Sequence, residues 1–326
     1  MAAPASMEIQ QAAEQLRRGR LVAFPTETVY GLGADALNAE AVASVYALKG
    51  RPGNNPLIVH VADAATARRL VSDWPDAATR LAERFWPGPL TLVMRKSGIV
   101  PLSVTAGGGT VAVRCPDHPV ALGLLRAFGG PMVGPSANAS GAVSPTTAAH
   151  VRAAFPEAIA RHELMVLDGG ACRTGIESTV LDISGAEFGI LRRGAISAEE
   201  IGRLLGRRVE VGGDDRLGEG AMPSPGMLSR HYSPRTPARL FDEREWPGVL
   251  TGYRKVVVIA GPRRVVPPPH LHVALPEEAE AYAAGLYAAL HEADAAGGDA
   301  ILIQRPGGSG SMWDAVRDRL TRACGE

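Results

Sequence analysis

Apolar and polar positions along the first two hundred residues predict helices and short buried strands in alternation. The helices show apolar residues three or four positions apart, and the strands are short apolar runs. Helices are predicted at 8–18, 38–48, after Asp63, at 75–85, at 118–128 and from Ser197 onward. Strands are predicted at 21–24, 57–61, 90–94, 111–114, 132–134, 166–168, 178–183 and 189–192. This order indicates an α/β domain, and the short turns between several strands favour a twisted mixed sheet with flanking helices.

The pattern breaks down at about 212–225, where Gly, Asp, Ser and Pro predominate, as is typical of a linker. Beyond it, strands are predicted at 255–260 and 300–304 and helices at 277–290 and 312–323. A chain of 326 residues is long enough for two cores. We therefore expect an N-terminal domain (8–205), a linker (206–237) and a smaller Rossmann-like α/β C-terminal domain (238–326).

Composition excludes several classes of protein. With 46% hydrophobic residues, 21% charged residues and a formal net charge of zero, the chain resembles neither a disordered segment nor a strongly basic RNA-binding protein. Cys115, Cys172 and Cys324 are scattered and form no C-x-x-C pair, which argues against a disulfide framework or a zinc site. No apolar run reaches the length of a membrane span, so we expect a cytoplasmic protein without membrane contact.

Candidate binding chemistry begins with Lys49 and Arg51, a K-x-R pair that follows a predicted helix and suits an anionic ligand. The segment 134–138 lacks the complete pattern of a hydrolase nucleophile elbow, so Ser136 is interpreted as a neutral hydrogen-bonding group. A plain serine-rich turn remains open as the alternative. No P-loop is present, and the glycine-rich stretches 107–109 and 307–311 are interpreted as a turn and a tight connection.

Seven sequence blocks, found in order, together carry a family resemblance. They are Pro25 to Gly33, Lys49-Gly50-Arg51-Pro52, Asn55-Pro56-Leu57, Trp86-Pro87-Gly88-Pro89-Leu90-Thr91, Arg114-Cys115-Pro116, Ser136-Ala137-Asn138-Ala139-Ser140-Gly141 and Ser178-Thr179-Val180. Over residues 8–205 the chain resembles the YrdC-like family, the threonylcarbamoyl-AMP synthases. The segment 224–234 and the small domain after it resemble the longer two-domain form of that family, with a looser match.

The resemblance implies a nucleotidyltransferase that converts L-threonine, bicarbonate and ATP to L-threonylcarbamoyl-AMP and pyrophosphate. Mg²⁺ is expected with ATP, with no metal ligand assigned to a protein side chain. The product then serves a separate threonylcarbamoyl transferase that modifies the adenosine next to the anticodon of certain tRNAs. A weak contact of the chain itself with tRNA or double-stranded RNA stays open.

The resemblance also implies residue roles. Lys49 and Arg51 are expected to neutralise charge in the reaction. The ATP-binding residues implied are Lys49, Arg51, Asn55, Thr110, Ser136, Asn138, Ser144, Arg192, His231 and Tyr232. The threonine-binding residues implied are Thr28, His60, Arg114 and Ser178, with Arg114 as the partner of the substrate carboxylate. Plain structural roles remain open for Thr110 as a strand residue, Asn55 as a turn former and Ser178 as a β-ladder position.

The linker carries Arg230, His231 and Tyr232, and we hypothesise that it covers the nucleotide as a lid. Two other functions compete with the synthase. An RNA-binding module without catalysis is disfavoured by the neutral net charge. A carbamoyl-transfer enzyme of hydrogenase maturation is disfavoured because such chains carry zinc-finger cysteines that three isolated cysteines do not supply.

Overall fold

The computed structural model describes residues 6–212 and 231–326. Its helices are α1 (Ser6–Arg17), α2 (Ala39–Lys49), α3 (Ala64–Leu70), α4 (Asp76–Phe85), α5 (Pro119–Phe128), α6 (Ala148–Ala154), α7 (Pro156–Ala160), α8 (Ala198–Leu205), α9 (Ala279–Ala295) and α10 (Ser311–Cys324). Its strands are β1 (Leu21–Phe24), β2 (Gly31–Asp35), β3 (Ile58–His60), β4 (Leu90–Arg95), β5 (Thr110–Arg114), β6 (Met132–Val133), β7 (Leu164–Val166), β8 (Thr179–Asp182), β9 (Gly189–Arg192), β10 (Glu210–Val211), β11 (Ala238–Phe241), β12 (Val256–Ala260), β13 (Leu271–Ala274) and β14 (Ala300–Gln304). None of the helices in these two ranges is long and apolar enough to cross a membrane.

The N-terminal domain is built on a ten-stranded sheet in the order β10-β9-β8-β4-β5-β3-β6-β2-β1-β7. The sheet contains parallel pairs, such as β3 with β5, and antiparallel pairs, such as β4 with β5. The prediction of a mixed sheet is therefore confirmed. Most of the buried apolar side chains form one large core that spans the sheet and its helices, and a smaller core lies between α1, α5 and β1.

Several elements of the N-terminal domain differ from the sequence prediction. The strand β2 was missed because two of its five residues are glycines, which rarely indicate a strand. The glycines are required there, because a Cβ on Gly31 would lie 2.8 Å from the ring of Phe24. The strand predicted at 166–168 lies instead at Leu164–Val166, since parallel pairing with β1 fixes its position. Helices α6 and α7 were not predicted, and both are short.

The C-terminal domain contains a four-stranded sheet in the order β11-β14-β12-β13, and all of its strand pairs are parallel. Helices α9 and α10 pack on one face of this sheet. The other face packs against the connection between β11 and β12, which includes the 3₁₀ helices Glu243–Glu245 and Gly248–Leu250. The expected Rossmann-like architecture is thus confirmed, although the short strands β11 and β13 were not predicted.

A buried ion pair joins the two domains. Arg319 of α10 is 1% exposed, and its Nε lies 3.0 Å from a carboxylate oxygen of Glu177, immediately before β8. The same carboxylate accepts hydrogen bonds from the hydroxyls of Tyr287 at 2.9 Å and Ser144 at 2.8 Å. Burial alone would raise the pKa of Glu177, but Arg319, Arg192 and the Ser144 hydroxyl outweigh it and lower the pKa to about 2. The carboxylate is therefore ionised and held by groups from both domains.

Replacing one partner of this ion pair should destabilise the protein strongly. We expect Arg319→Met to lower the free energy of unfolding by about 3–5 kcal/mol, because it leaves the Glu177 charge buried without its cation. The double variant Glu177→Gln/Arg319→Met should recover much of that loss, since no unpaired charge remains. Urea unfolding of the full chain measures both.

Arg317→Met is the matched control, because Arg317 lies on the same helix and pairs at the surface with Asp314. Its cost should stay below about 1 kcal/mol. If the single and double variants at Glu177 and Arg319 are equally destabilised, the buried charge is not the source of the effect.

Candidate active site

Two neighbouring parallel strands place a histidine and an arginine side by side. His60 ends β3 and Arg114 ends β5, and the register pairs these two residues directly. The Nη1 of Arg114 donates to the hydroxyl of Thr28 at 2.9 Å, in the loop between β1 and β2. Thr26 shapes that loop, because its hydroxyl accepts hydrogen bonds from the backbone N–H groups of Thr28 and Val29. Three of the four residues assigned to threonine thus lie together.

Arg114 is buried and its charge is balanced by a residue that sequence reasoning missed. The Nη2 of Arg114 lies 2.7 Å from an Oε atom of Glu27, which is 1% exposed. Its Nε donates to the carbonyl of Gly88 at 3.3 Å. Glu27 belongs to the sequence block 25–33, but one sequence does not distinguish a buried carboxylate from an exposed one. The ion pair fixes the orientation of the guanidinium before any ligand binds.

Helix α2 delivers Lys49 to the loop after β6. Asn38 caps its first turn by accepting from the N–H groups of Glu40 and Ala41, and Gly50 ends it in the left-handed conformation at φ 58°. The Nζ of Lys49 donates to the carbonyls of Ser136 at 2.5 Å and Asn138 at 2.6 Å. Burial first, and then nearby Arg51, lower the pKa of Lys49 well below its usual value. Lys49 therefore shapes the 136–138 loop in this conformation.

Arg51 shapes the next loop in a similar way. Its guanidinium donates to the carbonyls of Asn55 and Pro56 and to the Asn55 side-chain oxygen at 2.5 Å. Burial lowers the pKa of Arg51 to about 10, still far above neutral pH. The side chain is 9% exposed, so a buried cation lies at the edge of the cavity described below.

Arg192 comes from β9, the strand next to the edge strand β10. It ends β9, and its Nε and Nη2 contact the backbone carbonyl and the hydroxyl of Ser178, both at 3.1 Å. The Ser178 hydroxyl also shares a hydrogen bond with Thr91 at 2.8 Å. Ser178 thus positions Arg192 rather than lining the cavity itself.

These side chains surround a single cavity. Its lining residues are Thr28, Val29, Arg51, Ile58, His60, Arg114, Gly134, Pro135, Ser136, Glu177, Arg192, His231 and Tyr232. The space they enclose is about 40 Å³, far below the ~300–1,000 Å³ of typical ligand sites. A ligand bound here must therefore displace part of the lining or extend beyond it.

Apart from Arg114 Nη2, which is ion-paired with Glu27, three lining side chains carry buried polar atoms that find no hydrogen-bond partner within residues 6–212 and 231–326. These are the Nδ1 atoms of His60 and His231 and the hydroxyl of Tyr232. An unsatisfied buried polar group costs about 1–3 kcal/mol. Their convergence on one cavity favours a polar ligand as the missing partner.

His231 and Tyr232 are held over the cavity from both domains. The backbone N–H of His231 donates to the carbonyl of Arg322 in α10, and that of Ser233 donates to the carbonyl of Gly141. Tyr232 has φ 63°, an unfavourable backbone conformation for an aromatic residue, and its ring stacks on Tyr287. Arg230 and the rest of 213–230 lie outside the described residues, so the lid hypothesis is assessed only for His231 and Tyr232.

Six of the proposed site residues do not line the cavity directly. They are Lys49, Asn55, Thr110, Asn138, Ser144 and Ser178. Four of them contact the lining: Lys49 on Ser136, Asn55 on Arg51, Ser144 on Glu177 and Ser178 on Arg192, while Asn138 accepts a hydrogen bond from Lys49. Thr110 lies four residues before Arg114 on the same face of β5, about 13 Å away along the strand.

Comparison with protein families matches both domains of the chain. Residues 14–194 match the Sua5–YciO–YrdC family model, described as telomere recombination, and residues 196–325 match the threonylcarbamoyl-AMP synthase C-terminal domain. The chain belongs to the Sua5/YrdC family. Because the second model begins at residue 196, it includes the segment that carries His231 and Tyr232.

Proteins similar to this chain are found among known sequences and among solved structures. The chain is 43% identical over 257 residues to a threonylcarbamoyl-AMP synthase of Pyrococcus abyssi, covering 78% of this chain and 69% of that protein. It is 47% identical over 232 residues to one of Bacillus subtilis, covering 71% of this chain and 65% of that protein. The crystal structure of P. abyssi Sua5 complexed with L-threonine matches with a TM-score of 0.90 and 37% identity, covering 99% of this chain and 96% of that one.

The low pKa values of the two buried histidines of this site predict that the folded protein loses stability in acid. Burial is the main cause that lowers the pKa of His60 and of His231 to about 3, with nearby cations adding to it. Below pH 6.5 the unfolded chain therefore binds protons that the folded protein does not, and stability falls as the pH decreases towards 3. At pH 5 each histidine should cost about 2 kcal/mol relative to pH 7.

Urea unfolding at pH 7 and pH 5 tests this on the wild type and on His60→Gln and His231→Gln. Each variant should lose about 2 kcal/mol less between the two pH values than the wild type does. Equal losses in all three proteins would show that these histidines are not the acid-sensitive groups.

Proposed function

We propose that this chain is a nucleotidyltransferase that makes L-threonylcarbamoyl-AMP and pyrophosphate from L-threonine, bicarbonate and ATP. The observation that carries the proposal is the single cavity in which His60, Arg114 and Thr28 lie beside Arg51, Arg192 and Ser136. This combination suits an amino acid carboxylate next to a polyphosphate. Membership of the Sua5/YrdC family and the L-threonine complex of a similar protein support the assignment.

Threonine is assigned to the end of the cavity at Arg114. The guanidinium is already oriented by Glu27, so binding the substrate carboxylate requires little ordering of the arginine. His60 and Thr28 offer hydrogen-bonding groups on either side. His60 is neutral at pH 7, because its pKa is about 3, and it therefore adds no second positive charge.

ATP is assigned to the face of the sheet that extends from Arg114 towards Thr110. The phosphates lie between Arg51 and Arg192, which approach from opposite sides, and near the Ser136 loop that Lys49 supports. A small apolar cluster of Ile58, Val93, Ala112 and Val180 covers part of this region of the sheet and suits a flat base. Asn55 holds Arg51, Asn138 accepts from Lys49 and Ser144 donates to Glu177, so these three residues act on the side chains around the nucleotide.

The reaction requires charge neutralisation and needs no protein nucleophile. The amine of threonine adds to bicarbonate with loss of water, and the resulting carbamate oxygen attacks the α-phosphorus of ATP. The bond between the α-phosphorus and the oxygen that bridges it to the β-phosphate breaks. Pyrophosphate leaves with the electron pair of that bond. Arg51 and Arg192 stabilise the charge that develops on the leaving group, an electrostatic effect that is large in a water-poor cavity.

Mg²⁺ enters this proposal only as a counter-ion of ATP. The described residues contain no cluster of three or more His, Cys, Asp or Glu side chains able to hold a metal. Glu177, which lines the cavity, already accepts from Ser144, Tyr287 and Arg319. Phosphate oxygens and water are the ligands that Mg²⁺ prefers when carboxylates are few.

The segment with His231 and Tyr232 is proposed to cover the bound nucleotide. Both residues line the cavity, and both carry a polar atom without a partner in the described part of the chain. Because the enclosed volume is small, the segment must move for ATP to enter and close again afterwards. Closure would exclude water from an adenylate that hydrolyses readily.

The product is proposed to pass in the cytoplasm to a separate threonylcarbamoyl transferase that acts on tRNA. Direct contact of this chain with tRNA or double-stranded RNA remains a prediction. The neutral net charge continues to disfavour an RNA-binding module as the main function.

Pyrophosphate release tests the proposed reaction. We expect release from ATP to require both L-threonine and bicarbonate, and omission of either to reduce it to background. Arg51→Ala should reduce the rate on the order of 10²-fold, because it removes a buried positive charge near the leaving group. A coupled phosphate assay with mass spectrometry of the adenylate measures both.

Arg173→Ala is the matched control, since Arg173 is exposed, pairs with Asp117, and neither residue lines the cavity. It should leave the rate unchanged. Pyrophosphate release that continues without threonine would identify a general ATPase and contradict the proposal.

A further inference from the structure

The C-terminal domain contains a second cavity that the proposed reaction does not use. Its volume is about 650 Å³, within the range of small-molecule sites of ~300–1,000 Å³. The walls come from four segments, each directly after one of the four parallel strands. They are Glu243 and Trp246 after β11, Gly261 and 263–265 after β12, Pro276 and Glu277 after β13, and 305–308 after β14.

The position of this cavity in the sheet is the usual one for a ligand. In open α/β sheets, ligands bind at the carboxyl ends of parallel strands, where the connections diverge to opposite faces. Here the connection after β11 packs on one face of the sheet, while α9, which connects β13 to β14, packs on the other. The cavity therefore lies where the strand order of this domain favours binding.

Three arginines line the cavity: Arg263, Arg264 and Arg305. Their carboxylate partners are mostly exposed, as in the pair of Arg263 with Glu277 at 3.5 Å, whose side chains are 87% and 58% exposed. Exposed ion pairs of this kind contribute little, so an incoming anion exchanges for the carboxylate at low cost. Each guanidinium also has five donors, more than its present partners use.

A glycine-rich turn adds to the anion-binding part of the cavity. Gly307 and Gly308 line it, and the chain then enters the first turn of α10 at Gly310, which has φ 115°. A Cβ on Gly308 would lie 2.5 Å from the indole Nε1 of Trp313, so the close approach of this turn requires glycine. The first N–H groups of a helix lack intrahelical partners and bind phosphate oxygens well. The sequence alone favoured a simple tight connection here.

Aromatic side chains form another part of the wall. Trp246 and Trp313 both line the cavity, and Trp313 packs edge-on against Tyr282. Tyr282 also lines the cavity and is only 5% exposed, yet its hydroxyl has no hydrogen-bond partner in the part of the chain that is described. This part of the cavity wall is therefore aromatic.

We propose that this cavity binds a nucleotide, with its base beside Trp313 and Trp246, whose ring already contacts Phe241 and Arg264, and its phosphate at Arg263, Arg305 and the glycine-rich turn. Arginine and the backbone N–H groups of a glycine-rich turn suit phosphate, and indole rings suit a planar base. The site lies in the C-terminal domain and stands apart from the proposed synthase reaction.

The test uses the full chain labelled with 5-fluorotryptophan and followed by ¹⁹F NMR. The chain has four tryptophans, and Trp74 and Trp86 lie in the N-terminal domain. Each resonance is assigned with a single Trp→Phe variant. AMP should shift the signals of Trp246 and Trp313 along one saturation curve and leave those of Trp74 and Trp86 in place. Adenosine and inorganic phosphate, added alone, should each require at least tenfold higher concentrations.

Arg263→Glu should weaken the AMP response of Trp246 and Trp313 at least tenfold. It should leave pyrophosphate release unchanged, because Arg263 is remote from the synthase cavity. Arg254→Glu is the matched control, since Arg254 is 94% exposed and precedes β12, at the amino ends of the strands and away from the cavity at their carboxyl ends. It should keep the wild-type response.

Absence of any shift at Trp246 and Trp313, or equal responses in the two arginine variants, would overturn the nucleotide site. Phosphate acting at the same concentration as AMP would overturn the role of the base. These results do not depend on adenylate synthesis, so failure of the synthase assay and failure of the second site are distinguishable.

Discussion

Compensation of the Glu177 charge is the constraint on which the arrangement of the whole chain depends. This carboxylate lies against the N-terminal cavity, but its cation, Arg319, comes from the last helix of the C-terminal domain. A buried carboxylate without a cation would cost several kcal/mol. The two domains are therefore coupled through the site itself. Tyr232 shares this contact, because its ring stacks on Tyr287 and lies beneath the guanidinium of Arg319.

Compensation of buried charges also explains why the cavity is organised before substrate binds. Arg114 is fixed by Glu27, Arg51 by carbonyl groups and Asn55, and Lys49 by two carbonyls of the loop that contains Ser136. Desolvated cations with fixed geometry bind anions strongly, because little order is lost and little water is displaced. In contrast, the polar atoms of His60, His231 and Tyr232 that lack partners mark where the ligand completes the structure.

Sequence patterns predicted the fold class well where local signals are strong. Asn38, Asp63 and Ser197 begin helices as predicted, because their side chains accept from the first free N–H groups. The strand with Gly31 and Gly33 was missed, since close packing against Phe24, rather than propensity, determines it. Glu27 and Glu177 were missed for a related reason. Their importance comes from burial and from partners far away in the sequence, and no local pattern encodes either.

A crystal structure with L-threonine and a non-hydrolysable ATP analogue bound is the most direct test of the N-terminal site. We expect one cavity that holds both ligands, with the threonine carboxylate on Arg114 and the phosphates between Arg51 and Arg192. His231 and Tyr232 should contact the nucleotide. Ligands bound at separate surfaces, or a threonine carboxylate remote from Arg114, would contradict it.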